Sequence, residues 1–387
     1  GLILASTFVV SLRLFMDADS FNAWGWRLPF IFSIVLLSIA LWIRLQLEES
    51  PVFQRMKQAG ATSKAPLKEA FGTWKNGRIA LLALLGATAG EAVIWYGGQF
   101  YALFFLTQTL KVAPVTANIL IAVALLIGTP FFIFFGWLSD RIGRKPIMLA
   151  GFLIAAVTYF PIFQGITHFA NPALEKALAT APVSVVADPA ECSFQLKLTN
   201  TEKYTTSCDI ATSTLVNKSV NYTLTPGPAG SVAQVKIGDA TIDAFGAAGL
   251  SGDDVKAKTA AFETAVGDAI KGHGYPAAAN PDEINLVMTV ILLAILVLFV
   301  TMVYGPIAAW LVEMFPTRIR YTGMSLPYHI GNGWFGGFLP AIVFAIVAST
   351  GNIYSGLWYP IIIAAMSFVV APFFLPETKD RDLNHIE

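Results

Sequence analysis

Long apolar runs alternate with short polar stretches along this chain, and the alternation predicts most of its elements. Leu28–Leu47, Ile79–Leu110, Val115–Trp137, Pro146–His168, Ile284–Met314, Met324–Ala348 and Ile353–Leu375 are long enough to cross a bilayer as helices. Gly1–Phe15 reads as the remainder of another helix. The pattern changes between them, over about 169–285, where hydropathy collapses and arginine disappears. There Val185, Val186, Phe194, Leu196 and Leu198 predict strands, and Asp253–Gly272 has helical spacing with Phe262, Val266 and Ile270 on one stripe. The expectation is an all-α integral membrane protein carrying a small α+β insertion at 169–283.

Composition strengthens the membrane reading. Of the 387 residues 55% are hydrophobic and only 13% charged, against about a quarter charged in soluble domains. A net charge of zero excludes an electrostatic case for nucleic acid. The four histidines, 168, 273, 329 and 385, have no metal spacing, and no serine has a Gly-x-Ser-x-Gly context. Neither an enzyme nor a bound cofactor or metal is expected. The chain opens on Gly1 inside an apolar run, which predicts a truncated N-terminus.

Charge fixes the orientation. Between two spans lies Gly136-Trp-Leu-Ser-Asp-Arg-Ile-Gly-Arg-Lys-Pro146, too densely charged for hydrocarbon and so predicted to be a tight polar turn. Counted by parity from it, the segments 44–78, 141–145, 316–322 and the tail hold fourteen Lys and Arg, while the short loops on the other side hold three, Arg13, Arg27 and Lys111. The positive side is cytoplasmic, so the insertion is expected outside. An oxidising compartment there permits a Cys192–Cys208 disulfide worth about 3 kcal/mol; the plainer alternative is two unrelated thiols. A repeat is also visible. Trp26-Arg-Leu-Pro29 opens a span ending in Leu47-Glu-Glu-Ser-Pro51, and Trp358-Tyr-Pro360 opens one ending in Leu375-Pro-Glu-Thr-Lys379. Transporters are often built from such paired halves.

The 136–146 stretch resembles the signature loop of the major facilitator superfamily at every fixed position. Trp24-Gly-Trp-Arg-Leu-Pro-Phe30, Glu48-Glu-Ser-Pro-Val-Phe53 and Glu313-Met-Phe-Pro-Thr-Arg-Ile-Arg320-Tyr-Thr-Gly323 are similar to its metabolite:proton symporter branch. The resemblance implies helices 5–12 of a twelve-helix fold, with the insertion between 9 and 10. Residues 1–51 would end the first half and 52–78 would be the cytoplasmic linker. Helices 7–9 would fill 79–168, helices 10–12 would fill 284–375, and 376–387 would be a cytoplasmic tail. The four helices before Gly1 would then be needed for function.

Within that frame Glu91 is the sharpest candidate, an ionisable residue near mid-membrane. Trp95 and Gln99 follow at i+4 and i+8 on one helical face. With Tyr96 and Tyr101 they are expected to shape a cavity in which Glu91 takes up a proton or touches substrate; the plainer reading is a neutral, locally hydrogen-bonded Glu. Tyr304, His329 and Asn332 are further cavity candidates, although His329 also reads as a satisfied histidine on a Gly-rich packing face. Asp140 and Arg144, with Glu313 and Arg320, look like the superfamily's cytoplasmic charge network, joined by Gly136, Arg141, Gly143, Lys145 and Arg318. The expected function is import of a small carboxylate or zwitterion by proton symport, with the proton as coupling ion. The expected setting is a bacterial inner membrane and a monomer. The alternatives are a transporter-like sensor that binds ligand through the insertion, and an insertion with its own enzymatic or partner-binding role.

Overall fold

The structure, a computed structural model, describes residues 2–47, 51–60, 63–196 and 204–381. Among them seven helices are long and apolar enough to cross a membrane. In chain order the long helices are α1 (Leu2–Phe15), α2 (Leu28–Gln46), α3 (Trp74–Thr109), α4 (Pro114–Ile142) and α5 (Arg144–Ala170). They are followed by α6 (Ser207–Asn217), α7 (Gly252–Gly272), α8 (Leu286–Met314), α9 (Arg320–Thr350) and α10 (Trp358–Phe374). All are spans except α1, α6 and α7. The 29 residues of α8 reach about 43 Å at 1.5 Å per residue, enough for the hydrocarbon and both interfaces.

Close packing is achieved by small residues. A Cβ on Gly128 of α4 would lie 2.3 Å from Val297, and one on Gly151 of α5 would lie 2.7 Å from Val303. In lipid, association rests on such backbone proximity and not on hydrophobic burial. So α8 packs against both α4 and α5, and α10 packs against α5 and α3.

The paired motifs Trp26-Arg-Leu-Pro29 and Trp358-Tyr-Pro360 share a backbone form. Gly25–Arg27 and Ser355–Leu357 are each a single 3-10 turn leading straight into a span, and each span ends on an extended leucine, Leu47 or Leu375. Glu48, Glu49 and Ser50 lie outside the described residues.

The polar stretch at 136–146 is mostly not a turn. Helix α4 runs on through Asp140 and Arg141 to Ile142, and α5 begins at Arg144. The reversal is one residue, Gly143, at φ 110° and ψ 154°, which a side chain would resist. Arginine, leucine and lysine are good helix formers, so the helices extend past the apolar run.

Residues 172–283 fold around a four-stranded sheet of order β2-β1-β3-β4. β1 (Val183–Ala187) pairs parallel with β2 (Tyr222–Pro226), the crossover carrying α6. β3 (Gln234–Ile237) pairs antiparallel with β1 and with β4 (Ala240–Asp243). In β1, Val183, Val185 and Ala187 are buried and alternate with half-buried positions. The stripe Phe262, Val266 and Ile270 is the buried face of α7. Phe194 and Leu196 form no strand, contrary to their apolar alternation, and Leu198 lies outside the described residues. Their segment is tied instead by Cys192, bonded to Cys208 with Cα atoms 5.2 Å apart.

This sheet region sits on the ends of the spans. The Tyr222 N–H donates to the Gly351 carbonyl at 2.7 Å and its hydroxyl to Ala348. The Ile353 N–H donates to Asn221 Oδ1 at 2.9 Å, and Lys111 Nζ to the Asn217 carbonyl at 2.6 Å.

Candidate functional site

Glu91 lies midway along α3 with no exposed surface. Asn332 Nδ2 donates to its Oε2 at 3.2 Å, and Oε1 has no hydrogen-bond partner among the described residues. No Lys, Arg or His forms an ion pair with it there. An ionised carboxylate in that place would have no cation among the described residues to offset its desolvation.

Close backbone approach brings Asn332 to it. Asn332 belongs to the π-helical stretch Gly331–Gly336 of α9. A Cβ on Gly331 would fall 2.7 Å from Thr88 Oγ1, and one on Gly336 would fall 2.3 Å from the Tyr96 ring. Thr88 Oγ1 also donates to the Pro327 carbonyl at 2.9 Å, binding α3 to α9. Asn332 reaches back to the Tyr328 carbonyl at 3.2 Å, and the Tyr328 hydroxyl meets that of Tyr304 at 3.3 Å. The Tyr304 ring stacks on Trp95, and Trp95 lies edge-on to Tyr96. Glu91, Trp95, Tyr96, Tyr304 and Asn332 therefore form one cluster, joined by Tyr328. Tyr328 is the member absent from the sequence candidates, although its place four residues before the candidate Asn332 on one helical face was legible there.

Three cavity candidates lie elsewhere. Past Gly97 helix α3 turns π-helical, so the i+5 residue Phe100 comes to the Trp95 ring, with centroids 5.4 Å apart. Gln99 is buried, and its Oε1 has no described partner. Tyr101 packs into the core among Phe105, Phe163 and Phe344. His329 is exposed, its ring against Tyr328, and has no described hydrogen bond to the cluster.

A second polar centre lies at the span ends opposite the sheet. Arg144, the first residue of α5, contacts Asp140, donates to Ser139 Oγ at 2.8 Å, and reaches Glu313 Oε1 of α8 at 3.0 Å. Both the Arg144 and the Glu313 side chain are about nine-tenths buried. The Thr378 hydroxyl donates to Glu313, and Arg381 Nη1 donates to the Glu313 carbonyl at 2.8 Å. Glu377 caps α5, taking the Arg144 and Lys145 N–H groups at 3.0 Å each. Lys145 Nζ donates to the Leu375 carbonyl at 2.8 Å. Residues 377–381 are expected from sequence only as part of a cytoplasmic tail, with Glu377–Lys379 in the repeat; Pro376-Glu-Thr-Lys379 is the signal that could have placed them here.

The remaining charge candidates divide. Arg318 pairs with Glu69 of the linker at 2.8 Å. Arg320 does not join Glu313: its Nε donates to the nearby Phe315 carbonyl at 3.2 Å. Arg141 stacks over Trp137 at 4.3 Å. Gly136 has open space where a Cβ would stand; the small residue required at that crossing is Gly305 of α8, whose Cβ would come 3.2 Å from the Gly136 nitrogen.

Burial pushes the Glu377 carboxyl up, but four backbone N–H donors outweigh it and hold the group below the usual carboxylate range. A depressed folded-state pKa contributes stability above the unfolded value, lost as pH falls through the folded one. Glu377→Gln is expected to destabilise at neutral pH by up to about 1 kcal/mol, the solvent-facing position keeping the effect small. The gap to wild type should close as the pH falls below the folded pKa, in unfolding curves taken across acid pH. A gap that does not change with pH would rule out the charged cap.

The Major Facilitator Superfamily model matches residues 20–172, and the Sugar (and other) transporter model matches 260–387. Among curated proteins, the Escherichia coli (strain K12) shikimate transporter is 34% identical over 170 residues, 42% of this chain and 37% of its own length. The alpha-ketoglutarate permease of the same strain is 30% identical over 189 residues, 48% of this chain and 42% of its own. The Salmonella typhimurium proline/betaine transporter is 30% identical over 174 residues, 42% and 34% respectively. The chain thus aligns with less than half the length of these relatives. No solved structure matches it. With one family match on each side of the sheet and transporters of this kind as relatives, the chain is similar to the major facilitator superfamily over both stretches of spans.

Proposed function

We propose that these helices are the last eight of a twelve-helix symporter. It would import a small carboxylate or zwitterion with a proton, by alternating access at mid-membrane. The observation that carries this is Glu91, a fully buried carboxyl with one amide partner and no cation among the described residues, linked through Asn332 to Tyr328 and Tyr304. A group so held changes charge when the cavity wets and dries, as proton coupling requires. Relatives that move shikimate, alpha-ketoglutarate, and proline or betaine support the substrate class.

The Arg144–Glu313 cluster acts as the cytoplasmic lock, closed in this conformation and opened in the other. The distribution of Lys and Arg supports a cytoplasmic tail and a periplasmic sheet region, inserted between helices 9 and 10 of the twelve. The test is uptake of labelled carboxylates and betaines by cells carrying the full-length protein, with and without a protonophore. Accumulation that collapses with the protonophore is expected; uptake indifferent to it would remove proton coupling.

A further inference from the structure

A cavity of about 830 Å³ lies between the sheet region and the outer ends of α3 and α9, within the ~300–1,000 Å³ of small-molecule sites. Its wall is mixed. Lys111, Gln108, Ser213 and Asn217 supply charge, amides and a hydroxyl, while Phe104, Phe338 and Phe344 supply flat apolar surface.

Lys111 is the unusual member. It adopts φ 55°, a left-handed conformation rare outside glycine and asparagine. The Ala279 N–H donates to its carbonyl at 3.1 Å, fixing that backbone against the segment leading into α8. Its ammonium has three donors, and one is used, on the Asn217 carbonyl at 2.6 Å. Among the described residues no carboxylate lies within ion-pair distance of it. Burial, together with the nearby Lys218 charge, pushes its pKa down, as expected of a cation lacking a counter-ion.

We propose that this cavity is an outer binding site for a small hydroxylated monocarboxylate, with Lys111 holding the carboxylate. Lys111, the charged residue among the described ones that line the cavity, matches one negative charge, the amides and hydroxyl match substrate hydroxyls, and the phenylalanines match a ring or branched carbon body. The site also lies on the route inward. Phe104 is on the helix that carries Glu91, and Phe338 lies two residues past the π-helical stretch that carries Asn332. As the first stop of import it rests on the transport reading above; as a binding site it stands on its own geometry.

The test reads the outer site separately from any central one. Cys192 and Cys208 are bonded to each other, so Val216→Cys places a reporter thiol on the cavity wall without touching a polar group of the site. Its maleimide modification is followed in membrane vesicles carrying the full-length protein. Shikimate, quinate and mandelate serve as probes, and their uncharged methyl esters as controls. At least one acid should protect the thiol and its ester should not. Lys111→Gln should weaken that protection about tenfold or more, the worth of a charge-assisted hydrogen bond, and Lys111→Arg should retain most of it. Absence of protection by every acid, equal protection by the esters, or unchanged protection in Lys111→Gln would each overturn the proposal. Lys111-dependent protection with uptake indifferent to a protonophore would keep this site and remove proton coupling. Proton-driven uptake without protection would do the reverse.

Discussion

Glu91→Gln in the full-length protein is expected to abolish proton-driven accumulation while leaving the fold and substrate exchange in place. The amide is close to isosteric, and its oxygen can still accept from Asn332 Nδ2, as the carboxyl does at 3.2 Å. What disappears is the ability to carry a proton. One proton entering down about 100 mV releases roughly 2.3 kcal/mol, enough for about fifty-fold accumulation of a zwitterionic substrate. The variant should fall to no accumulation, yet still equilibrate label between preloaded vesicles and medium. Accumulation that survives, and still collapses with a protonophore, would take the proton role away from Glu91.

The second large effect concerns Arg144. Its guanidinium is the cation within reach of Glu313 among the described residues, and both side chains are nearly dry. Arg144→Met would leave the Glu313 carboxylate with the Thr378 hydroxyl alone. Leaving a buried charge unpaired costs about 3 kcal/mol or more, so a marked fall in thermal stability in detergent is expected. Adding Glu313→Gln should recover most of that loss, because the stranded charge goes with it. Two losses that simply add would mean that the residues do not act as a pair.

The two expectations were unequally visible in the chain. The spans followed from apolar run lengths, because a bilayer requires about 20 apolar residues whatever the rest of the fold does. Arg144 and Glu313 stood in quotable motifs, yet 169 positions separate them, and only packing of α5 on α8 brought them together. Arg320, closer in sequence to Glu313, turned out to serve its own turn. Local spacing identifies which residues are charged, not which charges meet.

Glu91 marks the same boundary. A lone carboxyl in the middle of an apolar run is conspicuous by its cost in lipid, so the sequence alone nominated it. Its companions depended on helix type. An α-helical period put Gln99 beside Trp95, whereas the π-turn at Gly97–Tyr101 put Phe100 there. Asn332 and Tyr328 entered through glycines whose missing side chains let α9 approach α3. Sequence by itself determined the membrane spans, the buried carboxyl, the reversal near Gly143 and the stripe on α7, because hydropathy and periodicity are properties of neighbouring residues. Tertiary structure decided the Glu91 partners, the capping of α5 by Glu377, and the Lys111 cavity, because each depends on contacts between segments remote in the chain.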